Sequence, residues 1–380
     1  MADNESELYA RALAEGWKTP RPTEGDMKRE PGAYNVHRYL FSGVGTGIRT
    51  FFGAPICITP EDLVAAEADI AIAGIPCDMS LGMRGAAQGP TAIRAGGALL
   101  AYSPMSFRHQ HVDIDPFELL NVVDYGDAPV DPLSMDNSVP MIRQFVREIV
   151  EAGTLPILIG GDHSIAWPNI AAMSDVYGPG KVGVVHFDAH ADASNSFFGH
   201  LASHGSPIRR LIADEHIPGS NFVQVGLRGF YPDQATHNWM QEQGMKTHFM
   251  AEVERYGFER VMDTAIDQAL AAGAEHLYIS FDMDVLDPAF APGTGTPEPA
   301  GLTPREVFPM LRRLAHEVGI VGAEIVEMNP LVDPGYTTAL VANRCLIEII
   351  TGVAMRKAGL PTPYYLDPVK AGDRWYTQPE

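Results

Sequence analysis

From residue 69 onward, short runs of branched apolar residues alternate with helical stretches, and this alternation limits the fold more than any other feature of the chain. Ile70 to Ile75 (IAIAGI), Asn121 to Asp124, Leu155 to Ile159 (LPILI), Val182 to Phe187 (VGVVHF), Phe222 to Leu227, Leu277 to Phe281 and Ile320 to Val326 read as strands. Val139 to Glu151, Arg260 to Ala272 and Pro304 to Glu317 carry helical spacing between them. A strand that is apolar on both faces must be covered on both faces. The pattern therefore predicts an α/β protein of three α/β/α layers around a mainly parallel central sheet. No linker-like break or internal repeat interrupts it, so a single catalytic domain is expected over residues 42–358. Residues 1–41 form an irregular N-terminal arm, polar and proline-rich at Thr19 to Pro31 (TPRPTEGDMKREP). Tyr34, Tyr39 and Phe41 at its end suit packing on a neighbouring subunit, and residues 359–380 form a C-terminal tail. The glycines at 43–47 (GVGTG) follow no apolar strand and read as a turn, not a phosphate loop.

Charge narrows the class of partner. There are 27 Lys and Arg against 48 Asp and Glu, and 27 − 48 gives −21. Neither nucleic acid nor an anionic membrane surface attracts such a chain, whereas a cationic substrate or metal ions do. Cys57, Cys77 and Cys345 are odd in number and widely spaced, which excludes a disulfide framework or zinc ribbon and fits a reducing compartment. No apolar run reaches the roughly 20 residues of a membrane span. The polar opening MADNESE is not a signal peptide, so a cytoplasmic location is expected.

Ligands of an open parallel sheet bind beyond the carboxyl ends of its strands. After Leu155–Ile159 comes GGDHS, with His163; after Val182–Phe187 comes DAHAD, with Asp188, His190 and Asp192; after Leu277–Phe281 come Asp282 and Asp284, then Asp287. In extended chain, side chains two apart point the same way, so each run can direct its ligands into one space. A DxD after one strand is often only a cap or loop. Three such clusters at the ends of strands in one sheet are not explained that way, and four carboxylates buried together without cations would repel or protonate. Two histidines and four carboxylates form an oxygen-rich set that favours hard divalent ions, with imidazole admitting nickel as well as manganese. Six ligands and four negative charges match two divalent ions, which in such sites lie on the order of 3.5 Å apart.

These segments resemble the ureohydrolase family of arginases, agmatinases, guanidinobutyrases and guanidinases. GGDHS at 160–164, DAHAD at 188–192 and SFDMDVLDP at 280–288 match its three metal motifs. Ser203-His204-Gly205, Gly226-Leu227-Arg228-Gly229, the GTGTPEP run at 293–299 and EIVEMNP at 324–330 match further segments. The resemblance implies that His163, Asp188, Asp192 and Asp282 hold one ion, and that Asp188, His190, Asp282 and Asp284 hold the other. It also implies that His204, titrating near its ordinary range, shuttles a proton, and that Glu327 receives the substrate's guanidinium through paired charge-assisted hydrogen bonds. For Asp192 it implies a second, catalytic role beside its ligand role, holding the hydroxide's proton. The reaction implied is hydrolysis of a guanidine C–N bond, for which bound divalent ions supply an activated water. Relatives of this kind are oligomers, so a homo-oligomer (trimer or hexamer) or a hetero-oligomer with a paralogous subunit is expected.

Substrate choice rests on loops. Ala193 to His200 (ASNSFFGH) holds no Arg or Lys for a substrate carboxylate, and no acid follows Asp192 before His204 to meet a second ammonium; Glu298 or an acid of the arm could supply one. These features, with the long arm, resemble the guanidinase and metformin-hydrolase branch and imply guanidine, an alkylguanidine or a biguanide as substrate, with nickel favoured over manganese. Agmatine or a guanidino acid is the alternative substrate. A non-catalytic partner subunit is the alternative of another class, opposed by the intact His204 and Glu327. Deacetylase-type amide hydrolases share the fold, but His190, Asp284 and GTGTPEP speak against them. His186 reads as a core histidine that points to the opposite face from Asp188's neighbours, His109 and His111 as surface residues, Met79 and Met83 as pocket wall or gap filler, and Cys77 as a small buried residue.

Overall fold

A computed structural model describes residues 29–36, 47–99 and 107–361. Its centre is an eight-stranded parallel sheet of β1 (Ile70–Ile75), β2 (Val122–Asp127), β3 (Leu155–Gly160), β4 (Val182–Phe187), β5 (Phe222–Val225), β6 (Lys246–His248), β7 (His276–Asp282) and β8 (Ile320–Val326). Their order is β2-β1-β3-β8-β7-β4-β5-β6. The last two strands in sequence thus lie between β3 and β4, and the four strands that carry the expected site are the four central ones.

Alternation along the strands builds two separate cores. Ile157, Ile159, Ile279 and Phe281 belong to the apolar cluster on one face. Leu158, Tyr278 and Val326 belong to that on the other. Helices cover both faces, and local sequence fixes their ends. Pro304 sits in the first turn of Pro304–Arg313, where a missing N–H costs nothing, and Thr303 and Glu306 close a reciprocal capping box. Ser134 caps Met135–Glu151 by accepting from the Asn137 N–H, and Met141, Ile142, Phe145, Val146 and Ile149 form that helix's buried stripe.

Strand β6 and the helix Thr337–Lys357 are among the elements with no counterpart in the sequence reading. Edge strand β6 is only three residues long, Lys, Thr and His, all polar. The helix Thr337–Lys357 is long and apolar enough to cross a membrane by composition alone, contrary to the expectation that no such run exists, but most of it is buried inside the protein. It is a core helix, and it carries a buried ionic cluster. Glu348 accepts from Arg344 Nε at 2.8 Å and from Arg312, and lies 3.3 Å from His109 Nε2. His109 is therefore a buried partner of Glu348, not a surface residue. His111 stands beside it with an exposed backbone N–H held by His109 Nδ1. Cys77 is fully buried, as expected. Of the expected arm, residues 1–28 and 37–41 lie outside the described residues, as do 362–380 of the tail and most of the glycine run at 43–47. In the part described, Arg29 pairs with Asp62 of the same chain, and Tyr34 bridges Ile56.

Burial opposes ionisation of Glu348, but His109, Arg312 and Arg344 outweigh it and hold the carboxyl down at about 2. A depressed carboxylate contributes stability that is present above its unfolded value near 4.3 and is lost as pH falls towards 2. Glu348→Gln should therefore lower the melting temperature at neutral pH by leaving Arg312 buried without its anion, a loss of about 3–5 kcal/mol. It should also flatten the fall in stability between about pH 4.5 and 2. Thermal melts of both proteins across that range check it.

Candidate metal centre and active site

Each site residue stands where a strand stops. Gly161 follows β3 against the Cys77 carbonyl, where an added Cβ would lie 1.9 Å from that oxygen, so only glycine lets the two segments close up. Buried Asp162 then ties the loop down through Met79 N–H and Ser164. This aims His163 over the strand ends. Its Nδ1 lies 3.1 Å from Asp188 Oδ2, 3.1 Å from Asp192 Oδ2 and 3.0 Å from Asp282 Oδ2. On the other side of Asp188, His190 Nδ1 lies 2.9 Å from Asp284 Oδ2 and 3.6 Å from Asp188 Oδ1. All six expected ligands meet in one buried place.

Two sets of ligand atoms could hold an ion: His163, His186, Asp188 and Asp192, and Asp188, His190 and Asp284. Asp188 belongs to both. Asp282 joins the first through its contact with His163, while its Oδ1 accepts from the Asp284 N–H at 2.8 Å. The donor chemistry fits divalent cations. His163 Nδ1 and Asp188 Oδ2 are buried with no hydrogen-bond partner in good geometry, and the charges cannot all coexist uncompensated. Burial disfavours the charged imidazole of His163, yet Asp188, Asp192 and Asp282 together hold it protonated well above its usual range. His190 is pushed up to about 12, burial being outweighed by Asp284 and Asp188. Burial, Asp284 and Asp188 raise Asp282 well above the carboxylate range. Protons do here what divalent ions on the same atoms would do.

A second layer orients the first. His163 Nε2 meets Ser280 Oγ at 2.8 Å, and Ser280 donates to Glu324 Oε1 at 2.7 Å. Glu324 also accepts from Asn169 at 2.7 Å and from the Tyr278 hydroxyl at 3.0 Å. With its Nε2–H spent on Ser280, His163 would turn the lone pair of a deprotonated Nδ1 to an ion held among the three carboxylates, as an imidazole ligand must. Asp284 is steadied by the Ala189 N–H at 3.0 Å and by Thr296 Oγ1 at 3.3 Å. Arg228 fastens the surrounding loops by donating to the carbonyls of Asp284 and Glu298. Asp287, instead of facing the ions' place, caps its own loop at Ala289 and Ala300.

Glu327 and His204 also come together. Glu327 Oε1 accepts from the His163 N–H at 3.0 Å and lies 3.4 Å from His204 Nδ1. Its Oε2 is buried and unpartnered. A Cβ on Gly295 would approach that oxygen to 3.3 Å, so the glycine keeps the space beside it clear. Both Glu327 (φ 63°) and Asp192 (φ 47°) adopt the left-handed backbone region, which is uncommon outside glycine and concentrates at functional sites. Burial lifts Glu327 to about 7 although His204 opposes the rise. Burial works against the His204 charge, but Glu327 overrides it and raises His204 to about 9. The expectation of an ordinary His204 is thus corrected: the group is cationic at neutral pH, the form that can give up a proton.

An open cleft of about 320 Å³ leads in. Its lining includes His190, Asp192 and His204 from the site, with Leu81, Phe197, Tyr231, Thr296 and Asp233 above them. Asp233 was not foreseen; it reaches the cleft from the loop after β5 and also caps the helix Gln234–Glu242. Glu298, the acid foreseen instead, does not line the cleft, and neither Met79 nor Met83 does. His186 departs from expectation too. It is fully buried, but its Nε2 lies 2.9 Å from Asp188 Oδ2 and its ring 4.9 Å from that of His163. The strand period already implied this, since 186 and 188 share a face.

Comparison with known proteins agrees with this geometry. Residues 68–352 match the family model described as the arginase family. The chain is 36% identical over 307 residues to a guanidinopropionase of Pseudomonas aeruginosa, covering 80% of this chain and 91% of that protein. It is 34% identical over 307 residues to a mitochondrial agmatinase of Gallus gallus, covering 80% and 85%. Among solved structures, the proclavaminate amidino hydrolase of Streptomyces clavuligerus superposes with a TM-score of 0.72 at 30% identity, covering 83% of this chain and 100% of that one.

The shared position of Asp188 gives an asymmetric expectation. Asp284→Ala should cost one ion and Asp188→Ala both, with turnover falling at least about 10²-fold in each, because the nucleophile depends on the ions. Elemental analysis of the purified variants checks this; wild-type metal content in Asp188→Ala would remove its shared role.

Proposed function

The chain belongs to the arginase family, and we propose that it hydrolyses a C–N bond of a small cationic guanidine that carries no carboxylate. Guanidine, an alkylguanidine or a biguanide such as metformin is the substrate, and the products are urea or a guanylurea-type compound with ammonia or an amine. The observation that carries this reading is the chemistry of the cleft. Among the described residues that line it there is no Lys or Arg, while Asp192 and Asp233 are both present. A carboxylate on the substrate would meet Asp192 and Asp233 and no Lys or Arg, although relatives include proteins named guanidinopropionase, guanidinobutyrase and guanidino acid hydrolase. Arg209 is stacked 3.8 Å over Trp239 and donates to the Ala193 carbonyl, and Arg210 donates to the Asn195 carbonyl. Leu81, Phe197 and Tyr231 give alkyl groups an apolar wall.

His163, Asp188, Asp192, Asp282, His190 and Asp284 hold two divalent ions in this reading, with nickel favoured and manganese the alternative. Bound there, the ions supply a water acidified towards ~7. The chain's own groups do the rest. Glu327 Oε2 accepts guanidinium N–H and fixes the plane of the substrate. Asp192 would hold by hydrogen bond the proton of the hydroxide whose oxygen bonds the guanidinium carbon, and His204, raised in pKa by Glu327, protonates the departing nitrogen as the C–N bond breaks. Asp233 favours a second reading, agmatine, because its carboxylate near the mouth could meet a terminal ammonium. Cytoplasmic location and assembly into a homo-oligomer, or with a paralogous subunit, complete the proposal.

The test is product release from guanidine, methylguanidines, metformin, agmatine, guanidinopropionate and guanidinobutyrate by nickel- or manganese-loaded protein. Guanidines without a carboxylate should exceed the guanidino acids in kcat/KM by at least about 10-fold, the scale of one lost charge-assisted contact. A guanidino acid as best substrate would overturn the reading, and an agmatine preference that disappears in Asp233→Asn would establish the second one. Glu327→Gln should keep fold and metal content while binding loses about 1.5–3 kcal/mol. Turnover should fall further through misalignment. Metal content, melting temperature and product release measured together decide it, and wild-type kinetics in a folded, loaded Glu327→Gln would take Glu327 out of substrate binding.

A further inference from the structure

One row of side chains crosses β8, β7, β4 and β5 just beneath the ligands. Glu324 of β8 is in register with Ser280 of β7, Ser280 with His186 of β4, and His186 with Gln224 of β5. All four are fully buried. Ser280 and His186 each sit two residues before a ligand, Asp282 and Asp188, and therefore share its face. Two histidines, 163 and 186, touch this row, and the row treats them oppositely.

Gln224 decides the state of His186. Its Nε2 is 2.7 Å from the Ala191 carbonyl, which can only accept, so the amide nitrogen and not the oxygen must point that way. The same nitrogen lies 3.0 Å from His186 Nδ1 and gives it a hydrogen bond. Nδ1 thus holds the lone pair, and in a neutral imidazole the proton is on Nε2. That atom faces Asp188 Oδ2 at 2.9 Å, off the line of a good hydrogen bond, and neither atom has a hydrogen-bond partner in good geometry. An N–H cannot ligate a cation, but it can donate to a carboxylate. His163 has the reverse arrangement, since Ser280 occupies its Nε2 and its Nδ1 faces the site.

We propose that His186, despite standing among the potential ligand atoms, is not a metal ligand but a positioning residue, with Gln224 locking the tautomer in which its Nε2–H donates to Asp188 Oδ2. In that arrangement Asp188 has a donor facing each oxygen, His186 at 2.9 Å from Oδ2 and the His190 N–H, hydrogen-bonded at 2.6 Å, on Oδ1. The carboxylate shared by the two ion positions is clamped in plane, with one lone pair on each oxygen left for an ion. This inference rests on the two-ion reading above. A wild-type protein that saturates at one ion would fail that reading, whereas the comparisons below read His186 against wild type alone.

The experiment is metal titration of stripped protein, with manganese or nickel as probe, followed by calorimetry and elemental analysis. The proteins are wild type, His186→Phe, His186→Gln and His163→Phe. His186→Phe should still take up the wild-type number of ions at saturation but bind them about 10–100-fold more weakly, the usual cost of losing an outer-shell hydrogen bond. His186→Gln, whose amide restores an N–H donor, should recover most of that affinity, and His163→Phe should lose one ion outright. Melting of the stripped variants monitors folding. If His186→Phe does not fold, His186→Gln decides: wild-type ion number with near wild-type affinity supports the assignment. Loss of one ion from a folded His186 variant would make it a ligand, and unchanged affinity in a folded His186→Phe would remove its positioning role.

Discussion

Four carboxylates, of Asp188, Asp192, Asp282 and Asp284, are drawn together with almost no exposure to water, and each buried anion raises the cost of the next. The surrounding structure is organised around offsetting that repulsion. Two imidazoles are placed between the acids, and backbone N–H groups of Ala189, His190 and Asp284 are turned onto carboxylate oxygens. A site with this much concentrated negative charge selects divalent cations over protons as pH rises, because deprotonated ligands are what the cations need. The overall charge of −21 points the same way but carries far less information than the six atoms at the strand ends.

Topology makes this concentration possible. The last two strands enter between β3 and β4, so four strand ends far apart in sequence open onto one place. Beneath them, Glu324, Ser280, His186 and Gln224 form a transverse polar row across the sheet. Such a row is costly unless its members satisfy one another, and here it also fixes which nitrogen each histidine shows to the acids. The orientation of the ligands is therefore written into sheet register. A one-residue slip of β4 would turn both His186 and Asp188 to the other face.

What could be read from sequence follows the same logic. The ligands were legible because each lies immediately after an apolar strand and the period of two puts them on a common side. His186 was misread because four apolar neighbours in VGVVHF outweighed the alternation that pairs it with Asp188. Edge strand β6 escaped because KTH has no apolar run, and Thr337–Lys357 because a helix buried nearly all round has no polar face to mark its period. The raised pKa of His204 was not legible, since it depends on Glu327 at the end of a different strand. Asp233 was missed for a related reason: a long loop after β5 brings it to the cleft, and loop paths are not encoded in periodicity.

That division between strand-encoded and loop-encoded residues bears on specificity. Chemistry common to guanidine hydrolysis sits on the strand ends and their outer layer, held by register and hydrogen bonds that tolerate little change. The cleft wall above it comes from the loops carrying Leu81, Phe197 and Tyr231 to Asp233, which touch the ions' place only through His190, Asp192 and His204. Substitutions there alter which tail accompanies the guanidinium without disturbing the acids below. A carboxylate tail needs a cation on that wall, and an ammonium tail needs an anion. A guanidine with no second charged group needs neither, only room for alkyl carbon of the kind that Leu81, Phe197 and Tyr231 line.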